Sequence, residues 1–327
     1  MARVFERPRT DSARLLLEAS RLATLAPEVM AAADAASPSD PPLLLAEGLG
    51  FSWRPPGLFA RPRAGARPTL EGIDLELRRG EVLGVIGESG SGKTTLGSIV
   101  AGLMAPGAGR LALDGVSIAS AAGQRSAEVR RRIQVVFQDP LSSLNPRHTV
   151  GASIERPLRL FLGLSAIEAR RRATECLLEL GLGEVHLDRF PRQLSGGQQQ
   201  RVAIARAFAV EPDLLVCDEI TSALDASVQA QVLAQLAALQ RRRGTALLVI
   251  THDLGVVRAL AARVVVLRAG RVVEQGPTAR VFAEPADPYT ASLLEAARLP
   301  TAFDPAVGTI TAPDPHPAPT QEPTDVR

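Results

Sequence analysis

The chain has 327 residues, 46% of them hydrophobic, with a formal net charge of +2. That suffices for one large domain or two smaller ones around a sizeable core. The near-balanced charge and the 3% aromatic content exclude a nucleic-acid surface, which needs a basic field and stacking rings. No apolar run reaches the roughly 20 residues that span a bilayer. Arg3, Glu6, Arg7, Arg9 and Asp11 precede any apolar stretch, which is not the pattern of a secretory signal. Cys176 and Cys217 both sit in apolar periodic stretches and read as core residues of a reducing compartment.

Residues 1–42 read as a helical patch, Ser12 to Leu25, followed by a linker of Ala, Ser, Pro and Asp. LLLAEGLGFSW (43–53) reads as the first strand, and the Arg/Pro/Gly segment 54–68 as a solvated turn. TLEGIDLELRRGEVLGVIG supplies two strands, 70–77 and 81–86, joined by the turn RRGE. A helix begins near Gly92. GRLALDGVSI (109–118) reads as a hairpin turning at Asp114-Gly115, and IQVVF (133–137) as a short buried strand. From Val150 to about Phe208 the apolar residues fall at three- and four-residue spacing, the helical period. Strands and helices then alternate: LLVCD (214–218), helix 226–243, ALLVI (246–250), helix 253–261, and RVVVLR (263–268) with a hairpin at Ala269-Gly270. Such alternation predicts an α/β fold with a mostly parallel sheet covered on both faces; the helical block of about 150–208 is a separate subdomain. Residues 300–327, rich in Pro, Thr and Asp, read as a disordered tail. The arginine triplets 130–132, 170–172 and 241–243 read as solvated helix faces.

Of the 37 basic residues, 36 are arginine and one, Lys93, is lysine. A chain that otherwise uses only arginine needs at that place a compact ammonium on a flexible stem. Lys93 lies in GESGSGKTT: Gly87, Glu88, Ser89, Gly90, Ser91, Gly92, Lys93, Thr94 and Thr95. The run fits G-x-x-x-x-G-K-[ST], follows an apolar strand and opens a helix, the context in which backbone N–H groups and a helix N-terminus cradle phosphate. Lys93 would reach the β- and γ-phosphates of ATP, and the Thr94 hydroxyl would ligate Mg²⁺. LLVCDE ends a buried strand in Asp218, which would hold Mg²⁺ directly or through water, and Glu219, which would orient and deprotonate the attacking water.

LSGGQQQR (194–201) resembles the signature sequence of ATP-binding cassette (ABC) ATPases, with Leu194 to Gln198 matching in full. Ser195, Gly196, Gly197 and Gln198 open an apolar helix, where free donors face phosphate. The resemblance implies that this phosphate belongs to ATP held by the other subunit of a cassette pair. Further matches follow the family's order. Gln138 in VVFQDP resembles the Q-loop, which senses Mg²⁺ and the membrane subunits. Ser222 to Asp225 resembles the D-loop of the dimer interface. His252 in VITHDL resembles the switch histidine that contacts the γ-phosphate. Trp53 stands where the family places the aromatic that stacks on adenine, although Phe51 is two residues away. The resemblance runs from about Leu43 to Leu299. It implies a P-loop NTPase fold with a RecA-like core, an antiparallel β subdomain and a helical signature subdomain, with the cassette at 43–275.

FQDPLSSLNPRHTVG (137–151) and GPTARVFAEPADPYTASLLEA (276–296) resemble the oligopeptide/dipeptide/nickel importer ATPases, the second segment being a C-terminal extension, 276–299. Some members carry an iron–sulfur cluster in that extension; it holds no cysteine here, so no cluster is expected. The resemblance implies a second cassette (the same or a sister chain), two membrane permeases, an extracytoplasmic solute-binding protein and a peripheral place on the cytoplasmic face of the membrane. Its alternative is an accessory cassette of the carbon–phosphorus lyase type. One residue departs from the pattern: the proline usual after the catalytic Glu is Ile220. LLEASRL (16–22) also repeats as LLEAARL (293–299), either as the remnant of a preceding cassette's tail or as a coincidence of good helix formers.

Overall fold

In the computed structural model, residues 41–53, 68–118, 122–222 and 224–297 are described. The N-terminal patch with its LLEASRL copy, the turn 54–67 and the tail 300–327 lie outside them.

Continuous apolar runs such as VLGVI, LLVC and ALLVI bury both faces of a strand, which requires a layer on each side. They form the centre of a six-stranded sheet of order β10-β9-β3-β8-β7-β6. Its strands are β3 (Val82–Ile86), β6 (Ile133–Val136), β7 (Leu214–Asp218), β8 (Ala246–Ile250), β9 (Arg263–Arg268) and β10 (Arg271–Pro277). All neighbours pair in parallel except β9 and β10, the expected hairpin through Ala269 and Gly270. Side chains alternate between the two faces, and the core divides accordingly. Ile86, Leu215, Cys217, Leu247, Val249, Val264 and Val266 join one cluster, and Val85, Leu214, Val216, Leu248, Ile250, Val265 and Leu267 the other.

The second cluster is closed by a four-stranded antiparallel sheet of order β2-β1-β4-β5. It contains β1 (Leu44–Phe51), β2 (Leu70–Leu77), β4 (Ala108–Leu113) and β5 (Val116–Ser117). The expected hairpin turns with positive φ at Asp114 and Gly115, the two-residue turn whose twist suits paired strands. RRGE does not close a hairpin: β2 and β3 belong to different sheets, so this turn carries the chain from one layer to the other.

Ten α-helices are described. They are α1 (Lys93–Ala101), α2 (Ala127–Arg132), α3 (Pro140–Ser143), α4 (Val150–Leu162), α5 (Ala166–Glu179), α6 (Gly196–Ala209), α7 (Ala226–Arg243), α8 (Leu254–Leu260), α9 (Thr278–Ala283) and α10 (Pro288–Ala297). Side-chain caps start the helical subdomain. Thr149 accepts from Ala152 N–H, and Ser165 with Glu168 forms a reciprocal capping box. The buried faces of α4, α5 and α6 share the first cluster with the sheet.

The arginine triplets are solvated in part: Arg130, Arg171, Arg241 and Arg242 are exposed, while the others reach across the fold. Arg132 pairs with Asp114 and Asp213, tying the two sheets together. Arg131 donates to the carbonyls of Val210 and Glu211. Arg243 pairs with Glu179 at 2.9 Å, and Glu211 takes both Arg172 and Arg243, so these ions join the helical subdomain to the core. Both cysteines are free and buried, as expected. Among the described residues no helix is long and apolar enough to cross a membrane.

Candidate ATP site

In an open parallel sheet the loops leaving the carboxyl ends of the strands converge on one rim, where ligands bind. Here β3 delivers the Gly87–Thr95 loop, its neighbour β8 delivers His252, β7 delivers Asp218 and Glu219, and β6 delivers Gln138. The β7–β8 register sets Asp218 opposite Ile250. Glu219 N–H continues the ladder by donating to the Ile250 carbonyl at 2.8 Å, so the acidic pair and the histidine leave the sheet side by side.

The loop wraps inward around its lysine. Lys93 is 6% exposed, and its Nζ donates to the carbonyls of Gly87 and Glu88, each at 2.8 Å. Burial lowers its pKa, against the opposing pull of Glu219, Asp218 and Glu88. Gly87 is obligatory here: its φ is +149°, and a Cβ would lie 2.1 Å from the Leu267 carbonyl on β9. Glu88, Ser89 and Gly90 form the exposed rim, while Ser91 and Gly92 are buried beneath it. Gly92 caps α1, whose first residues are Lys93, Thr94 and Thr95. The fold therefore presents open backbone donors and a helix N-terminus to a polyanion.

Thr94 Oγ1 lies 3.4 Å from Asp218 Oδ1. Burial, and then the charge of Glu219, raise the Asp218 pKa, while the Thr94 hydrogen bond and Lys93 oppose them. A divalent cation would relieve that crowding of oxygens. Among the described residues there is no cluster of three His, Cys, Asp or Glu able to hold a metal. The Thr94 hydroxyl plus the Asp218 carboxylate is a donor set that suits Mg²⁺, which takes few protein ligands and completes its shell with phosphate and water.

Glu219 Oε1 is 3.0 Å from His252 Nδ1, and Glu219 is one of four non-glycine residues with positive φ among those described. Behind it, Gln138 donates to the Ser222 hydroxyl at 3.2 Å, which donates in turn to the Glu219 carbonyl at 3.0 Å. Gln138 and Ser222, the predicted Q-loop and D-loop residues, are thus joined directly and tied to the backbone of the acid. Ile220 is buried in the first cluster and so contributes packing where the family pattern has proline.

Six predicted site residues are engaged locally. Ser195 caps α6 and forms a capping box with Gln198. Gly196 and Gly197 lie beside Leu224 and Val228, at the start of α7, and not beside the phosphate loop; a Cβ on Gly197 would meet Val228 Cγ1 at 2.2 Å. Asp225 caps α7 through Val228 N–H at 3.1 Å and Ser227 Oγ at 2.8 Å. Those contacts lower its pKa. Trp53 lies just beyond β1, 69% exposed, edge-on to Phe51 with ring centroids 5.3 Å apart.

Two contacts at the site escape sequence reasoning. Gln229 donates to Asp253 at 2.8 Å, tying α7 to the loop that carries His252. Tyr289 on α10 accepts from Glu88 N–H at 2.9 Å across 201 residues of chain. Its being the one tyrosine in the sequence was the available signal.

Residues 70–222 match the family described as ABC transporter. The chain is 44% identical over 244 residues, 75% of its own length and 68% of the relative's, to a probable peptide ABC transporter ATP-binding protein of Sinorhizobium fredii. It is 42% identical over 255 residues, 78% of its length and 74% of the relative's, to the oligopeptide transport ATP-binding protein OppF of Salmonella typhimurium. Among solved structures it resembles a dimeric ATP-binding cassette in a post-hydrolysis state bound to ADP and Pi, with a TM-score of 0.62, 31% identity and coverage of 72% of this chain and 98% of that one.

Proposed function

From the premise that the chain belongs to the ABC transporter family, as an ATP-binding and ATP-hydrolysing subunit, we propose that it energises the import of peptides. Support for this solute class comes from the relatives, which are named for peptide and oligopeptide transport. None of those names points to the carbon–phosphorus lyase alternative.

One observation carries the chemical reading. Glu219 and His252, 3.0 Å apart, stand on adjacent strand ends beside the Thr94–Asp218 pair. Lys93 and the loop donors would bind the phosphates, and Thr94 and Asp218 would hold Mg²⁺, with Gln138 approaching it from β6. The metal would neutralise the charge that develops on the transferred phosphoryl group. Glu219 would take the water's proton, and His252 would hold that carboxylate in place and face the γ-phosphate. Trp53 would stack on adenine.

The signature loop, Ser195 to Gln198, with Ser195 and Gly196 exposed at its tip, would complete the second ATP site of a cassette pair. The dimeric form of the solved relative supports such a pair. The partners would be two permeases and an extracytoplasmic solute-binding protein, with the cassette peripheral on the cytoplasmic face of the membrane. The test is uptake of a labelled oligopeptide by cells carrying this chain with the permeases and binding protein encoded beside it. ATP-dependent uptake that is abolished by Lys93→Ala is expected; peptide uptake indifferent to that substitution contradicts the reading.

A further inference from the structure

Tyr289 is 7% exposed, and several elements converge to aim it. The Arg268 guanidinium lies over its ring, 4.7 Å from the centroid. Arg268 ends β9, directly after Leu267, whose carbonyl abuts Gly87. Glu274 on β10 accepts from Ala286 N–H at 2.8 Å and Asp287 N–H at 3.1 Å. Asp287 in turn accepts from Tyr289 N–H at 2.7 Å, fixing the first turn of α10.

The hydroxyl held in this way accepts from Glu88 N–H at 2.9 Å. The other end of the same peptide unit, the Gly87 carbonyl, receives Lys93 Nζ at 2.8 Å. A peptide is planar, so fixing its N–H fixes the direction of its carbonyl. Rotation of this unit would swing the carbonyl away and turn a partial positive charge toward the ammonium.

We propose that Tyr289 is a positioning residue of the phosphate site. Its hydroxyl locks the Gly87–Glu88 peptide and thereby seats the Lys93 ammonium where phosphate oxygens arrive. The C-terminal extension is then a working part of the nucleotide site. This rests on the reading of Lys93 as the phosphate-binding lysine.

Tyr289→Phe removes the hydroxyl and keeps the ring. One neutral hydrogen bond is worth about 0.5–1.5 kcal/mol, so ATP affinity falls roughly two- to twelvefold. The seat serves bound substrate and transition state alike, so KM rises with kcat unchanged. The measurement is steady-state hydrolysis and ATP affinity of the full chain as wild type, Tyr289→Phe, Ser292→Ala and Lys93→Ala. Ser292, also on α10, spends its hydroxyl only on the Pro288 carbonyl, at 3.0 Å, and its variant should match wild type.

An unchanged KM in Tyr289→Phe, or a lost kcat at constant KM as a weakened fold would give, overturns the proposal. Full ATP affinity in Lys93→Ala overturns the lysine assignment instead. Should Tyr289→Phe fail to fold, 3-fluorotyrosine in the wild-type chain gives a single ¹⁹F resonance. A shift on adding ATP is expected, and a resonance that ATP leaves unmoved overturns the proposal.

Discussion

Gly197→Ala separates the position of the signature loop from the stability of the fold. The new methyl would lie 2.2 Å from Val228 Cγ1, whereas carbon atoms rest at about 3.5–4.0 Å. One helix must therefore retreat by more than about 1 Å, or Val228 must leave its preferred rotamer, which a β-branched residue in a helix resists. Overpacking of this kind costs about 1–3 kcal/mol. Alanine's better helix propensity returns up to about 1 kcal/mol, so the net loss of stability is about 0–3 kcal/mol. Hydrolysis should suffer more, because a misplacement of about 1 Å near the reacting groups can cost about 10²-fold. The assay pairs urea unfolding with steady-state hydrolysis, for Gly197→Ala and for Gly197→Ala/Val228→Ala. The double variant opens the space and should regain most of the turnover. Wild-type turnover in the single variant, or a double variant no more active than the single, refutes the argument that α6 and α7 must approach this closely.

Lys93→Arg should abolish tight ATP binding although the charge is kept, since a planar guanidinium cannot replace the ammonium between two carbonyls at 2.8 Å; nucleotide titration checks it. Trp53 is the one tryptophan and is largely exposed, so saturating ATP should quench its emission, and unchanged fluorescence contradicts adenine stacking there. Burial pushes the Cys176 thiol up to about 11 from 9.0. The unfolded chain then ionises first, and the stability contributed is present below pH 9 and lost as pH rises toward 11. The urea midpoint should fall across that window, and Cys176→Ala should remove part of the slope; an identical slope in the variant contradicts the buried thiol.

Most of the candidate ATP site is legible in the sequence because its chemistry needs contiguous residues. VLGVIGESGSGKTT, LLVCDE and VITHDL each place buried strand residues directly before a loop of the candidate site, and apolar runs ending in polar residues are legible at short range. The convergence of β3, β8 and β7 then follows from parallel pairing. What the sequence hides depends on distant partners. RRGE looks like any strand-joining turn, and only the packing of two sheets shows that it joins layers. Arg132 reads as a solvated charge because Asp114 and Asp213 are 18 and 81 residues away. Ser195 and Asp225 hold helix caps as well as the places assigned to them, a double use that spacing cannot reveal. Tyr289 reaches Glu88 only because β9 and β10 bring α10 back over the phosphate loop.

Glu219 is the proposed base that activates water. Glu219→Gln preserves the side chain's shape and its reach toward His252 but cannot accept the proton, and a general base contributes typically about 10²–10⁴ in rate. Measuring phosphate release and ATP affinity together on this one variant tests the claim most directly. Hydrolysis reduced by that factor with ATP binding intact is the predicted result, and near wild-type phosphate release would contradict it.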